Sequence, residues 1–155
     1  MPGRGIWLSS SRETVNTACD KHLFSKAAGG VVKVGDNLAD TIEEQLRKRC
    51  LDLLGMARRA GEAVGGFQKV MSFLNSYPAS IIICACDGAD DGRTKVVAAA
   101  RGGSVIELFT SAELGSILGR ERTVYVAVAK KTLGLSARKL CSLFSHTKNL
   151  SLIHI

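Results

Sequence analysis

Ser80-Ile-Ile-Ile-Cys-Ala-Cys86 decides the fold class. It is an uninterrupted apolar run, the pattern of a central strand covered on both faces rather than a strand with one wet side. Cys84 and Cys86 alternate within it, so in a strand both point to the same face and read as core thiols. Outward from this run the chain alternates between helix and strand patterns. Upstream, a helix is expected from Phe67 to about Asn75, with Pro78 marking the turn that follows. Downstream, Asp87 to Gly92 reads as a loop and Arg93 to Arg101 as a helix closing on Gly102-Gly103. Val105 to Phe109 reads as a strand, and Thr110-Ser-Ala-Glu113 as a capping box opening a helix to about Leu118. Gly119 to Arg122 is a loop, Thr123 to Ala129 a valine-rich strand, and Leu133 to Phe144 a final helix. Strands and helices joined by short links predict an α/β fold: a three-layer α-β-α sandwich around a mixed sheet.

Before this unit, Asp40 with Glu43 gives another capping signal. Ile42, Leu46, Cys50, Leu53, Leu54 and Ala57 then follow a helical period from Thr41 to about Arg59. Arg47-Lys48-Arg49 falls within this helix and reads as a solvated face. The first residues form a small partial α+β segment. Ile6-Trp7-Leu8 reads as a strand, and Ser10-Ser-Arg-Glu13 as a capping box. The helix that follows has Val15, Ala18, Cys19 and Leu23 on one face and is expected to end at Ala27-Ala-Gly-Gly30, and Val31 to Val34 is a brief strand or arm. That segment is too small to bury a core alone. The expected organisation is 1–37 as this segment, 38–148 as the sandwich and 149–155 as a tail.

The 155 residues carry a net charge of +7 and 46% hydrophobic side chains. The second figure excludes wholesale disorder, and the first favours an anionic partner, most often nucleic acid. No apolar run reaches the roughly 18 residues of a membrane span, and the N-terminus lacks a signal-peptide core. Five cysteines without a Cys-x-x-Cys pair and three scattered histidines give neither a disulfide framework nor a metal-ligand spacing. A reducing, cytoplasmic setting follows, with no metal and no cofactor expected.

The candidate site is Leu54-Gly-Met-Ala-Arg-Arg-Ala-Gly-Glu-Ala-Val-Gly-Gly-Phe67. A helix ends on Arg58 and Arg59, a short segment crosses into the core at Ala63 and Val64, and Gly65-Gly66 turn the chain into a new helix. Glycines ahead of a helix admit a ligand close to the backbone, and the helix start offers free N–H groups to an anion. The same residues also make an ordinary tight turn after a helix whose basic end suits its dipole; spacing alone leaves both readings open. Gly119 to Arg122 and Lys130-Lys131 are further basic loops that could lie at the same end of the sandwich. Phe67 and Phe109 are candidates for stacking or for the core. Asp87, Asp90 and Asp91 follow the central strand, where catalytic carboxylates often lie. With no histidine or further Glu nearby they read as a solvated loop and helix cap. No phosphate-binding loop, G-x-G-x-x-G after a strand, or G-x-S-x-G occurs, so no catalytic residue is assigned.

From about Leu51 to Phe144 the chain resembles the bacterial YlxQ-type members of the kink-turn RNA-binding ribosomal protein family, the archaeal L-seven-Ae and eukaryotic L-thirty-e group. The matching residues are Leu54-Gly-Met-Ala-Arg-Arg-Ala-Gly61, Ile81-Ile-Ile-Cys84, Leu108-Phe-Thr-Ser-Ala-Glu-Leu-Gly115 and Leu118-Gly-Arg120. Pro2-Gly-Arg-Gly-Ile-Trp-Leu8, with the helix holding Ala18 and Cys19, resembles the second half of a YlxR-type domain, itself a proposed RNA-binding module. Its first half, with paired cysteines, has no counterpart. Met1 falls inside that family's Pro-Gly-Arg-Gly motif, which implies a truncation, a misassigned start or a degenerate fusion. A YlxR–YlxQ fusion resembles an alphaproteobacterial nucleic-acid-binding protein implicated in transcription termination.

The resemblance implies RNA binding without catalysis, in the setting of transcription termination, translation or ribosome assembly. It carries the first RNA loop onto Gly65, Gly66, Phe67, Gln68 and Lys69, and the second onto Gly119 to Thr123. Arg58, Arg59, Lys69, Arg120 and Arg122 are then the phosphate contacts. Kink-turn binders have Gly-x-Asn-Glu in the first loop and read guanine edges with the Asn and Glu. This chain has Phe67 and Gln68; Gln can hydrogen-bond a base edge and Phe cannot. The expected partner is a structured RNA, with ribosome, RNA polymerase or ribonuclease components as further partners. The rival reading is a protein-interaction adaptor docking on a polymerase or ribonuclease component, with Arg4 and Trp7 at the centre of that second surface. A third, an enzyme accessory, lacks any cofactor motif.

Overall fold

The computed structural model describes residues 8–9, 11–147 and 153–154. Its strands are β1 (Ala63–Gly65), β2 (Ile81–Cys84), β3 (Ser104–Ile106), β4 (Tyr125–Val128) and β5 (Ile153–His154). The helices are α1 (Arg12–Asp20), α2 (Leu23–Ala28), α3 (Leu38–Arg59), α4 (Phe67–Ser76), α5 (Arg93–Ala99), α6 (Ser111–Ile117) and α7 (Thr132–Thr147). The sheet order is β1-β4-β2-β3-β5. β2 and β3 are parallel and the other neighbours antiparallel, so the sheet is mixed.

The apolar run lies where its composition requires. Every residue of β2 is buried, at the centre of the sheet. Its side chains alternate between two cores. Ile81 and Ile83 pack with Val126, Val128, Leu54, Leu114 and Phe144, under α3, α6 and α7. Ile82 and Cys84 pack with Val105, Ala127, Val70 and Val96, under α4 and α5. The result is the three-layer α-β-α sandwich. Each fully buried Ile or Leu contributes about 1.5–3 kcal/mol through burial.

Several local expectations change. The β2 ladder stops at Cys84, so Cys84 is buried but Cys86 is exposed, its N–H donating to the Phe109 carbonyl outside the strand. Helix α3 begins at Leu38 with Asn37 as its cap, not at Thr41 with Asp40. Asp40 and Glu43 both accept from Arg12 of α1 at 2.6 Å, which removes them from capping. Arg47 is no solvated residue. Its guanidinium lies over the Phe109 and Phe144 rings, 5.8 and 5.7 Å from their centroids, and donates twice to Glu113.

In the N-terminal segment Ser11, not Ser10, caps α1, accepting from the Thr14 N–H, and Val15 and Ala18 are buried. Ser10 and the Ile6-Trp7 part of the first strand expectation lie outside the described residues. Val31 to Val34 pairs with no strand among the described residues; Ser25 Oγ bonds both the N–H and the carbonyl of Val32, and Val31 stays exposed. Among the described residues of this segment the regular elements are α1 and α2. Ile153–His154 pairs with β3.

In native protein Cys86 is expected to react promptly with a thiol reagent. Cys50, Cys84 and Cys141 are buried, and burial pushes the Cys84 thiol up to about 11, so these three should react only on unfolding. Mass-spectrometric thiol labelling with and without denaturant checks this; a protected Cys86 would contradict the strand end.

Candidate nucleic-acid interface

Two glycines let two loops meet. Gly65 ends β1 with its Cα against Leu118 and Thr123; a Cβ there would collide with Leu118 Cδ1 and stand 3.2 Å from Thr123 Cγ2. Gly66 caps α4 at φ +97°, a conformation that favours glycine, and its N–H donates to the Tyr125 carbonyl at 2.9 Å. No side chain caps α4, so the N–H groups of its first turn are open to an anion.

The facing loop is equally constrained. At the end of α6 the Gly115 carbonyl accepts from both Leu118 and Arg120 at 2.9 Å. A Cβ on Gly115 would stand 2.8 Å from the Arg120 carbonyl oxygen and the Arg122 backbone. The chain therefore folds back tightly and carries Arg120 to within 3.2 Å of where a Cβ on Gly66 would be. Between the loops lies a cleft of about 130 Å³ lined by Arg58, Ala63, Val64, Gly65, Lys69, Leu118 and Arg120. Arg58, Lys69 and Arg120 are all exposed; Arg58 spends one N–H on the Ile117 carbonyl at 3.2 Å.

Of the expected site residues, the cleft thus gathers Arg58, Gly65, Lys69 and Arg120, with Gly66 at its margin. Gly119 is exposed at φ +65°, and Gln68 is exposed on the first turn of α4. Arg59 is exposed and does not line the cleft; its Nη1 lies 3.6 Å from where a Cβ on Gly55 would be. Arg122 is held by the protein: Nε donates to Ser111 Oγ at 2.9 Å, and Nη2 lies 3.5 Å from Asp87. Phe67 is half-buried, its ring edge-on to Tyr125 with centroids 6.1 Å apart. It lines a second cleft of about 390 Å³ with Ala89, Asp91, Gly92, Lys95, Val124 and Tyr125. Phe109 is fully buried, which removes it as a stacking candidate. Arg4 and Trp7 lie outside the described residues.

Lys130-Lys131 is not at this end. β4 runs from Tyr125, beside Gly66, to Val128, beside Ala63 and Ile81, so the two lysines follow at the opposite end of the sheet. The apolar lining residues Ala63, Val64 and Leu118 are not legible in the sequence as site residues, because the signals it offers there are charge and glycine.

Two carboxylates organise the α6 start. Asp87 accepts from the N–H and Oγ of Ser111 at 2.6 and 3.0 Å; the backbone hydrogen bond holds its carboxyl below the ordinary range. Burial pushes the Glu113 carboxyl up, but Arg47 and the Thr110 N–H outweigh this and leave it lowered.

Over 97 aligned positions the chain is 30% identical to the RNA-binding protein YlxQ of Enterococcus faecium, covering 59% of this chain and 94% of that protein. The chain belongs to the YlxQ family. A solved structure of a protein with unknown function from Bacillus halodurans C shares the fold, with a TM-score of 0.54 at 20% identity over 60% of this chain and 96% of that one. No protein-family model matches the chain. The YlxQ match leaves about two fifths of this chain outside it, since 59% of its residues are covered.

Both lowered carboxylates stabilise the fold above the unfolded carboxylate range, about pH 4, and this is lost as pH falls through their folded values. E113Q should therefore be less stable than wild type at neutral pH, with the gap narrowing below about pH 4 in thermal melts. G115A should cost about 1–3 kcal/mol in urea unfolding, since backbone rather than a flexible side chain blocks the added methyl.

Proposed function

We propose that this YlxQ-family chain is a non-catalytic RNA-binding protein whose phosphate-binding site is the cleft at the free edge of β1. The carrying observation is the convergence of Arg58, Lys69 and Arg120 on Gly65, beside the uncapped start of α4. Three exposed cations around an open set of backbone N–H donors suit a phosphodiester turn. The glycine backbone leaves room for it, where a Cβ would intrude. The name of the Enterococcus faecium relative, an RNA-binding protein, supports the same reading.

Arg58, Lys69 and Arg120 make the phosphate contacts, and Gln68 offers a hydrogen bond to a base edge. An unstacked base enters the adjoining cleft against Phe67 and Lys95. Arg122 acts mainly by fixing its own loop to Asp87 and Ser111. Without the Asn and Glu of the kink-turn readers, recognition rests on RNA shape and backbone more than on guanine edges. The proposed setting is the cytoplasm, in transcription termination, translation or ribosome assembly. Among the described residues no helix is long and apolar enough to cross a membrane.

Fluorescence anisotropy with a labelled structured hairpin RNA tests this. Affinity should fall linearly on a log–log plot against salt. R58A/R120A should weaken binding about tenfold or more and reduce the salt slope by about two, roughly one for each arginine–phosphate pair removed. Unchanged affinity and slope in the folded double variant would overturn the site.

A further inference from the structure

The lysines that fall outside the cleft stand in a setting of their own. Because β2 and β3 are parallel and β4 is antiparallel to β1 and β2, four loops meet at the end of the sheet away from Gly66. They are Ala60 to Glu62, Tyr77 to Ser80, Arg101 to Gly103 and Ala129 to Lys131, and the Ala129 N–H donates to the Glu62 carbonyl at 2.8 Å. The loops hold one another. Lys130 Nζ donates to the Gly102 carbonyl at 2.8 Å, and within its own loop Ser80 Oγ donates to the Tyr77 carbonyl at 2.5 Å. Gly103 lies so close to the Ser80 carbonyl that a Cβ would collide with it.

What this frame presents is an aromatic ring among cations. Tyr77 is 43% exposed. Its ring stands 4.8 Å from that of Phe73, tilted 35°, and Lys131 Nζ lies 5.6 Å from its centroid. Arg101, Lys130 and Lys131 are exposed, and none forms an ion pair among the described residues. The core needs neither the exposed ring nor the charges of Arg101 and Lys131, and Lys130 gives Gly102 one of its three ammonium donors. An ammonium above a tyrosine ring is a weak, exchangeable contact, and the same π-face accepts a nucleobase. Cations without carboxylate partners are available to phosphates.

We infer that this loop cluster is a second RNA-contact surface, taking a single-stranded segment that flanks the element bound at the β1 cleft. Tyr77 stacks a base, and Arg101, Lys130 and Lys131 hold the adjoining phosphates. This rests on the RNA-binding reading of the chain. The two surfaces lie at opposite ends of β4, whose four residues span about 13 Å. One RNA reaches both by running along the sandwich.

The test uses the full chain and two labelled probes, an oligouridylate and a hairpin RNA without single-stranded ends. Y77A and K130E/K131E should each lose about tenfold in oligouridylate affinity while keeping hairpin affinity. Y77F, which keeps the ring and its contact with Phe73, should restore oligouridylate binding. R58A/R120A should give the reverse pattern, losing the hairpin. Photocrosslinking of a 4-thiouridine oligomer should put the adduct on the Tyr77 to Ser80 loop. Oligouridylate affinity unchanged in folded K130E/K131E, or crosslinks confined to the β1 cleft, would overturn the second surface and leave the cleft standing. Wild-type protein that binds neither probe would overturn both.

Discussion

The salt bridge between Arg47 and Glu113 is the joint on which the arrangement of this molecule turns. Arg47 reaches from the middle of α3, passes over the rings of Phe109 and Phe144, and donates both guanidinium arms to Glu113. Glu113 also accepts from the N–H and Oγ of Thr110, closing the capping box of α6. One carboxylate thus fixes the start of α6 and ties it to α3, and the Phe144 ring brings in α7. Both partners are partly shielded, so the bond is stronger than a surface pair, and removing either leaves a charge without its partner. The rim of the cleft depends on this joint, because Arg120 follows the last turn of α6.

From that anchored helix, two close approaches make the cleft. Gly115 lets the chain fold back on itself, and Gly65 lets β1 come up against Leu118. Glycine at both positions trades side-chain packing for proximity of backbone. The consequence is electrostatic. Arg122 is answered by Asp87 and Ser111 inside its own loop, whereas Arg58, Lys69 and Arg120 converge with no carboxylate partner among the described residues. The net charge of +7 is therefore not spread evenly, and the cleft and the Tyr77 edge draw on different members of it.

Features governed by local rules are legible in the amino-acid sequence. The Ile81-Ile-Ile-Cys84 run can be satisfied only between two layers, and Thr110 with Glu113 caps a helix as its spacing requires. Local rules fail where a distant partner claims the residue. Asp40 and Glu43 have the spacing of a cap, but Arg12, 28 and 31 residues away, takes both. Arg47 sits in a basic triplet and is drawn inward by Glu113, 66 residues on. Cys86 keeps the strand alternation, but the ladder has already ended at Cys84, so the parity argument no longer applies.

The candidate site divides in the same way. Its glycines and arginines announce themselves by type, since only glycine permits the backbone approach and only cations answer a polyanion. Which of them share a cleft is not in the spacing. Arg58, Lys69 and Arg120 meet because β1 is an edge strand beside the α6 turn, and Lys130-Lys131 departs because β4 carries it to the other end of the sheet. The sequence by itself determined the elements, their layers and the excess of positive charge, since each depends on periodicity, capping or composition within a few residues. Only the tertiary structure decided which charges are neutralised and which converge, because that depends on strand order and on contacts between residues far apart in the chain.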